Sequence, residues 1–388
     1  MESGSGPLAC LVAATLFHFA SLYYLLPTLP LYVRHLGGST FDVGLIIGLL
    51  ALTSLAARPF LGAWMDRTGR RGFLLAGAAI YVIASLGYLA IRSVSGLLLW
   101  RVFHGIGLAT FSTAAASLTG DLAPPGRRGA TMGVFGLAQA GALMVGPGIG
   151  RGILEALGYP ALFVAAACTA FAAFVCALAL PGSPSPAGPR QTPGEQPRVL
   201  ALWKTTAVPA ALQFAASVAY GTIISFIAVV ARDRGLEAVG AFFALLALSS
   251  LGVRLAAGKA YDAWGAAPVL IPPFLALAAG MALLAVAAGP ATFLSAAVLA
   301  GLGIGGAHTT LITAVVDRSS IERRASSVAG FAACWELGVG GGTILMGRLA
   351  EAAGFETMFL VVAALPLLGL GGLSRLAAPE RQSLQPPK

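Results

Sequence analysis

Twelve long apolar stretches follow one another along the chain, and short polar or charged segments separate them. They begin near Ala9, Val43, Gly72, Leu97, Gly129, Tyr159, Ala207, Val239, Pro268, Ala291, Ala325 and Thr357. A helix of about 20 apolar residues crosses a hydrocarbon core of about 30 Å, and in lipid only helices or closed barrels satisfy their own backbone groups. The pattern therefore predicts an all-α membrane protein with twelve transmembrane helices. The first stretch lacks a basic leader, so we expect an uncleaved span rather than a signal peptide.

Composition agrees with this prediction. A chain of 388 residues with a mean hydropathy of +0.86 and 10% charged residues has too few polar side chains to cover a water-soluble globule. Arginine and lysine are concentrated in alternate connections, such as those holding Arg70, Arg71, Arg127 and Arg128. Cytoplasmic loops carry this excess, so both termini are predicted to be cytoplasmic. The net charge of +9 then reflects topology, and no nucleic-acid partner is expected.

A proline-rich polar segment, residues 181–205, divides the chain into a predicted N-terminal half, 1–180, and a C-terminal half, 206–388, each with six helices. One constant shift of the sequence brings Arg58 onto Arg254 and also aligns many other residues. Among them are Tyr24 with Tyr220, Gly44 with Gly240, Gly105 with Gly301, Gly107 with Gly303, Asp121 with Asp317 and Gly158 with Gly354. The two halves are therefore predicted to be repeats in parallel orientation, with a substrate site between them near the bilayer midplane.

Four motifs carry a resemblance to a known family. They are "GAWMDRTGRR" after the second span, "RVFHGIGLA" in the fourth, "GPGIGR" in the fifth and "PTLP" late in the first. The chain resembles the major facilitator superfamily over nearly its whole length, and within it the drug/proton antiporters and the sugar-efflux-like branch. The resemblance implies two pseudo-symmetric six-helix halves and alternating access. It also implies an antiporter motif at Gly146, Pro147 and Gly150, although Arg151 replaces the motif's last glycine.

The loop after the second span is predicted to act as a cytoplasmic gate. Gly62 and Gly69 permit close approach and a tight turn, so Asp66 can lie where helix ends meet and pair with an arginine. The resemblance implies a partner at the start of the eleventh span. The gating candidates are Gly62, Asp66, Arg67, Gly69, Arg70, Arg71, Arg323 and Arg324. Alternatively, the arginines only enforce topology and bind lipid phosphate.

Ionisable residues inside the spans are candidates for proton coupling, because charge in hydrocarbon is costly and usually functional. Glu336 is the one carboxylate predicted near mid-membrane, where it could bind and release a proton; alternatively it is permanently paired with an arginine or histidine. The resemblance assigns Arg101 to proton coupling or to contact with a substrate anion. Arg101 and His104 lie one helical turn apart and could share a polar cluster, and His18 is a further candidate. Arg101 could instead be a snorkelling anchor, and His18 a packing residue.

Polar and aromatic residues on central spans are candidates for substrate binding: Tyr24, Gln139, Gln213, Tyr220, His308 and Trp335. Belt or core packing is the alternative for each tyrosine. The glycines of the fifth span, 136–152, predict a tight crossing with a helix of the other half, as befits an exporter that must not leak.

No nucleotide-binding loop, catalytic triad or metal-ligand spacing is found in the sequence, so we expect neither an enzyme nor a bound cofactor or metal. The favoured prediction is a proton antiporter that exports a small organic molecule. An importer or facilitator of a solute such as a sugar is the alternative, and a non-transporting membrane sensor is a third. Protons, substrate and membrane lipid are the expected partners of a monomer. Its arginine, alanine and glycine content points to the inner membrane of a bacterium.

Overall fold

The computed structural model describes residues 5–124, 127–180, 199–319, 324–371 and 373, and gives the backbone alone for 5, 63, 66, 128, 129, 199–206 and 324–326. Throughout these ranges the regular structure is helical. The helices are α1 (Ser5–Leu25), α2 (Leu29–His35), α3 (Thr40–Thr68), α4 (Arg70–Gly87), α5 (Val94–Leu122), α6 (Arg128–Leu178), α7 (Val199–Asp233), α8 (Val239–Trp264), α9 (Ala266–Val286), α10 (Pro290–Asp317) and α11 (Arg324–Leu370).

Helix starts follow local capping chemistry where the sequence supplies it. Ser39 and Asp42 form a capping box at the start of α3, with the Ser39 amide donating to the Asp42 carboxylate at 2.8 Å. Ser93 accepts a hydrogen bond from the Gly96 amide at the start of α5. These polar caps fix the positions at which two apolar helices begin.

Two helices are long enough to cross a membrane twice. α6 has 51 residues and α11 has 47, and each contains one residue in a non-helical conformation: Gly158 with φ 80° and Gly354 with φ 84°. Only glycine adopts this conformation without strain. In the described part of the chain, ten helical segments are long and apolar enough to span a membrane, and both kinked helices count once in that number. The twelve predicted starts all fall in the helices α1 and α3–α11. The predicted start at Tyr159 directly follows Gly158 in α6, and the one at Thr357 follows Gly354 in α11.

The predicted linker is shorter than the sequence suggested. Residues 181–198 lie outside the described residues, whereas α7 begins at Val199, so the last part of the 181–205 segment is helical. The proline-rich pattern stops at Pro197, and the following residues up to Pro209 contain neither proline nor glycine to break a helix. The helix therefore begins several residues before the predicted boundary.

The packing of α1–α6, the N-terminal group, is repeated in α7–α11, the C-terminal group. In the first group α1 packs on α6, α3 on α5 and α4 on α5; in the second α7 packs on α11, α8 on α10 and α9 on α10. The glycine contacts agree residue by residue. A Cβ on Gly105 would collide with the Leu50 carbonyl and Thr53, and a Cβ on Gly301 would collide with the Leu246 carbonyl and Ser249. All of these pairs are related by the shift that brings Arg58 onto Arg254.

The two groups meet most closely at one end of the bundle, which we call the sealed end. There α3 crosses α11, where a Cβ on Gly44 would collide with the Thr343 carbonyl oxygen and lie 3.2 Å from the Gly347 Cα. Its counterpart is the crossing of α6 and α8, where a Cβ on Gly240 would lie 3.0 Å from the Gly148 Cα. These backbone contacts leave no room for a side chain at Gly44 or Gly240.

Towards the other end the same helices are packed less closely. A Cβ built on any of four further glycines of α3, α6, α8 and α11 has no neighbour within 4 Å among the described residues: Gly62, Gly136, Gly252 and Gly330. At these four positions no described atom approaches as closely as at Gly44 and Gly240.

Candidate functional site

A cavity of about 520 Å³ lies between the N-terminal and C-terminal groups. Its walls come from α1, α3, α5 and α6 on one side and from α7, α8, α10 and α11 on the other. This volume falls within the range of small-molecule sites, about 300–1,000 Å³. Most of the lining is apolar or aromatic, including Phe19, Tyr23, Phe135 and Ile304, and a few polar groups are set into it.

An ion pair crosses the cavity between Arg58 of α3 and Glu336 of α11. Glu336 is 14% exposed, and its second carboxylate oxygen, Oε2, has no hydrogen-bond partner among the described residues. A buried carboxylate of this kind needs its cation, because an unpaired charge loses its hydration without compensation. The sequence pattern left the pairing of Glu336 open and did not indicate Arg58 as a site residue. The signal for Arg58 was its place inside an apolar span.

A second arginine, Arg254 of α8, also lines the cavity. α8 continues to Trp264, so Arg254 lies inside the helix. It is the repeat partner of Arg58. No hydrogen bond or ion pair joins its guanidinium to any residue that the structure describes. The repeat itself, which aligns two intramembrane arginines, was the signal that could have found it.

Four of the six predicted substrate-binding residues line the cavity: Gln139, Tyr220, His308 and Trp335. The Tyr220 and Trp335 rings are 5.2 Å apart, and the His308 and Trp335 rings 5.4 Å apart, so one wall is a continuous aromatic surface. Such a surface suits a planar or apolar solute.

The other two predicted substrate residues do not line it. Tyr24 packs its backbone against α6, where a Cβ on Gly150 would lie 2.6 Å from the Tyr24 Cα. Gln213 is fully buried in α7, with its amide atoms unpaired among the described residues. Repeat symmetry relates Tyr24 to Tyr220, but the close approach of α6 at Gly150 has no equivalent at Met346.

Arg101 and His104 form one buried polar cluster with Tyr88. The Arg101 Nε atom donates to the Ile46 carbonyl at 2.8 Å, and its Nη1 lies 3.3 Å from His104 Nδ1. Tyr88 Oη is 2.8 Å from the same nitrogen. A guanidinium can only donate, so Nδ1 accepts and the neutral His104 ring carries its proton on Nε2. The expectation that Arg101 and His104 share a cluster is confirmed, and both are fully buried rather than snorkelling.

His18 extends this cluster by aromatic contacts. Its ring stacks on Phe111 at 3.7 Å and lies 3.8 Å from Tyr81, whose ring is 4.2 Å from His104. All of these residues belong to the N-terminal group, and none of them lines the cavity. His18, His104 and Arg101 therefore belong to one buried cluster, whereas Glu336 lies in the wall of the cavity.

The structure describes some of the predicted gating residues. Gly69 has φ 94° and forms the turn between α3 and α4, as its sequence position suggested. Arg70 pairs with Asp121 of α5, and Arg71 donates to the Leu178 carbonyl of α6 at 2.9 Å. Both contacts lie within the N-terminal group, and Arg67 is exposed. The side chains of Asp66 and Arg324, and all of Arg323, lie outside the described residues.

The glycines of the fifth span face two ways. Gly146 and Gly150 face α1, where a Cβ would lie 2.6 Å from the Tyr23 Cβ and the Tyr24 Cα respectively. Gly148 faces the C-terminal group at Gly240. The tight crossing predicted with the other half therefore holds at Gly148, whereas the motif residues Gly146 and Gly150 pack within their own group. α6 continues as helix through Pro147.

Comparison with known proteins agrees with this architecture. The family model described as Major Facilitator Superfamily matches residues 11–266 and 210–388. The chain belongs to the major facilitator superfamily. Among curated relatives of this superfamily member, the uncharacterized MFS-type transporter MJ1560 of Methanocaldococcus jannaschii is 34% identical over 131 residues, 34% of each chain. The quinolone resistance protein NorA of Staphylococcus aureus is 24% identical over 196 residues, 50% of each chain. The chain thus spans half or less of the length of these relatives.

Two solved transporter structures share the fold at low sequence identity. A point mutant of the nucleoside transporter NupG matches with a TM-score of 0.79 at 14% identity, covering 96% of this chain and all of that one. A bacterial homologue of the human lysosomal transporter Spinster, inward-facing and unoccupied, matches with a TM-score of 0.77 at 18% identity, covering 97% and 98%. At these identities the likeness establishes the fold of a multi-pass membrane transporter and no substrate.

Proposed function

We propose that this major facilitator protein is a secondary active transporter that exports a small organic molecule by proton antiport. The observation that carries the proposal is the cavity between the two groups, which is sealed at one end by glycine contacts and contains an intramembrane ion pair. A site that contacts both groups can change its access when they rock against each other. NorA is named as a quinolone resistance protein, which supports export. NupG is a nucleoside transporter, which supports other small solutes as alternative substrates.

The proposed topology has twelve transmembrane helices in two six-helix halves, with both termini in the cytoplasm of a bacterium. The kinks at Gly158 and Gly354 support it, because each divides a long helix into two segments of spanning length. In this topology the sealed end faces outward and the cavity faces inward. The proposed partner of Asp66 is the start of the eleventh span, near Arg323 and Arg324, when the protein faces outward.

Glu336 is the proposed proton carrier. It is a carboxylate inside the membrane, and it lies in the wall that a substrate would contact. Protonation would release Arg58 from its ion pair, so the charge on Glu336 and the contact between α3 and α11 are linked. The buried cluster of Arg101, His104 and His18 has no contact with the cavity and is assigned a supporting role in the N-terminal half.

The test is proton flux in liposomes that contain the purified protein and a pH-sensitive dye. Cationic drugs, sugars and amphiphilic metabolites are added in turn to wild type, to Glu336→Gln and to Glu356→Gln. Glu356 is a matched control because it is an exposed carboxylate on the same helix, outside the cavity. Substrate-dependent proton movement in wild type and Glu356→Gln, but not in Glu336→Gln, is expected. Substrate flux without protons would favour a facilitator, and no flux of any probe would favour a sensor.

A further inference from the structure

The cavity contains more positive than negative charge. Its described ionisable lining consists of Arg58, Arg254 and Glu336, together with tyrosines and His308. Glu336 neutralises Arg58, so Arg254, which is exposed, has no counter-ion among the described lining residues. With His308 and the tyrosines neutral, the lining has one net positive charge. Enclosing a net charge inside a membrane is costly unless a counter-ion accompanies it.

Arg254 also lies at the junction of the cavity with a second space. A groove between α6 and α8 is lined by Met132, Gly133, Leu137 and neighbouring residues, and it shares Gly136, Ala140, Leu251 and Arg254 with the cavity. Apart from Arg254, every residue that lines this groove is apolar or glycine. Leu137 is 53% exposed, so the groove opens on the outer surface of the bundle.

We infer that the transported substrate is an amphipathic organic anion, whose anionic group binds Arg254 and whose apolar part lies along the aromatic wall and the α6–α8 groove. An anion at Arg254 brings the formal charge of the cavity to zero, whereas a cation would raise it to two. A guanidinium offers a planar set of donors that fits carboxylate, sulfonate or phosphate oxygens. The tilted rings of Tyr220 and Trp335 supply an apolar surface in the same cavity.

This inference rests on the proposed function in that the cavity is taken as the transport site. The Arg58–Glu336 pair stays intact when the anion binds at Arg254, so the proton step at Glu336 remains a separate step of the cycle. The anion has two possible sources: a water-soluble molecule that enters from the open end, or a lipid whose headgroup reaches Arg254 from the groove. Both present the same chemistry to the arginine.

Binding is tested with the full chain in nanodiscs of zwitterionic lipid. Three ligands share one naphthyl-alkyl body and end in a sulfonate, an alcohol or a trimethylammonium group. Wild type is expected to bind the sulfonate about ten- to a hundredfold more tightly than the alcohol, the range for a charge-assisted hydrogen bond, and to bind the ammonium most weakly. Arg254→Gln is expected to remove this preference, and Arg254→Lys to keep part of it. Lys259→Gln is the matched control, since Lys259 is an exposed cation on the same helix, outside the cavity lining.

Equal binding of the three ligands by wild type would overturn the inference, as would an anion preference that survives in a folded Arg254→Gln protein. A loss of the anion preference in Lys259→Gln equal to that in Arg254→Gln would also overturn it. Melting temperature and size-exclusion profile establish folding. To separate the sources, phosphatidylglycerol is added to the nanodisc: competition with the sulfonate indicates a lipid headgroup, and no competition indicates a soluble anion. Liposome flux of the same ligands separates the two proposals. Anion-selective binding without flux contradicts only the proposed transport function. Flux of the ammonium ligand alone contradicts only the inference that the substrate is an anion.

Discussion

The sealed end gives a prediction about the balance between the two access states. In Gly44→Ala, the new methyl group would collide with the Thr343 carbonyl oxygen and lie 3.2 Å from the Gly347 Cα. Both neighbours are backbone atoms, which cannot rotate away as a side chain can. The substitution should therefore force α3 and α11 apart at this end, and only in the state in which that end is closed.

The magnitude follows from the cost of overpacking, about 1–3 kcal/mol. Applied to the closed state alone, this changes the ratio of open to closed molecules by a factor of about 5 to 150. Alanine also favours helix over glycine by up to about 1 kcal/mol, but this gain is equal in both states and cancels. Gly341→Ala is the matched control, because a Cβ at Gly341 of α11 has no described neighbour within 4 Å although Gly340 beside it contacts Leu52.

Thiol accessibility measures this ratio. The four native cysteines are replaced, and a single cysteine is placed at Ser112, which lines the cavity. A membrane-impermeant thiol reagent is added from the side of the sealed end in oriented vesicles, and the rate of labelling reports the fraction of molecules open there. Faster labelling in Gly44→Ala, with no change in Gly341→Ala, is expected. An unchanged rate in Gly44→Ala, or equal acceleration in both variants, would refute the argument that backbone contact closes this end.

Three further predictions concern stability in detergent. Gly158→Ala should lower the free energy of unfolding by about 1–3 kcal/mol, because φ 80° with ψ −178° is strained for any side chain; Gly152→Ala, in open space on the same helix, should not. Tyr88→Phe should cost about 1 kcal/mol by removing the hydroxyl that contacts His104 Nδ1, and an unchanged melting temperature would contradict that hydrogen bond. Arg234→Gln should lower the free energy of unfolding by about 1.5–3 kcal/mol, since the Arg234 guanidinium donates to three carbonyls at the end of α9, at 2.7–3.1 Å. Thermal unfolding measures the effect, with Arg232→Gln, a change at an exposed arginine, as the control.

The helices and the repeat were predictable because their causes are local or periodic. Apolar runs of spanning length require a membrane, and glycines that recur at one constant shift imply equal crossings. Gly105 of α5 contacts α3 in the same way as Gly301 of α10 contacts α8, which agrees with that implication. The contact between Arg101 and His104 was likewise predictable, since residues three apart on a helix are neighbours.

The composition of the cavity was harder to predict because it depends on how α3, α8 and α11 face each other. Sequence spacing places Glu336 at mid-membrane but does not show that Arg58 of another helix reaches it. Repeat symmetry suggested Tyr24 as well as Tyr220, and failed because Gly150 admits the α1 backbone where a larger residue stands in the second group. Side-chain identity at a crossing decides which symmetric residue faces the cavity.

The glycine contacts at the sealed end also have an electrical consequence. Where α6 and α8 cross at Gly148 and Gly240, a Cβ on Gly240 would lie 3.0 Å from the Gly148 Cα, so no file of water molecules fits between the two backbones in this dry layer. A water-filled cavity on one side is nearly equipotential with its bulk solution, and the membrane voltage therefore falls mainly across the dry layer. Because one elementary charge is worth about 2.3 kcal/mol per 100 mV, a charge that moves to the far side of this thin layer takes up most of that energy in one short step.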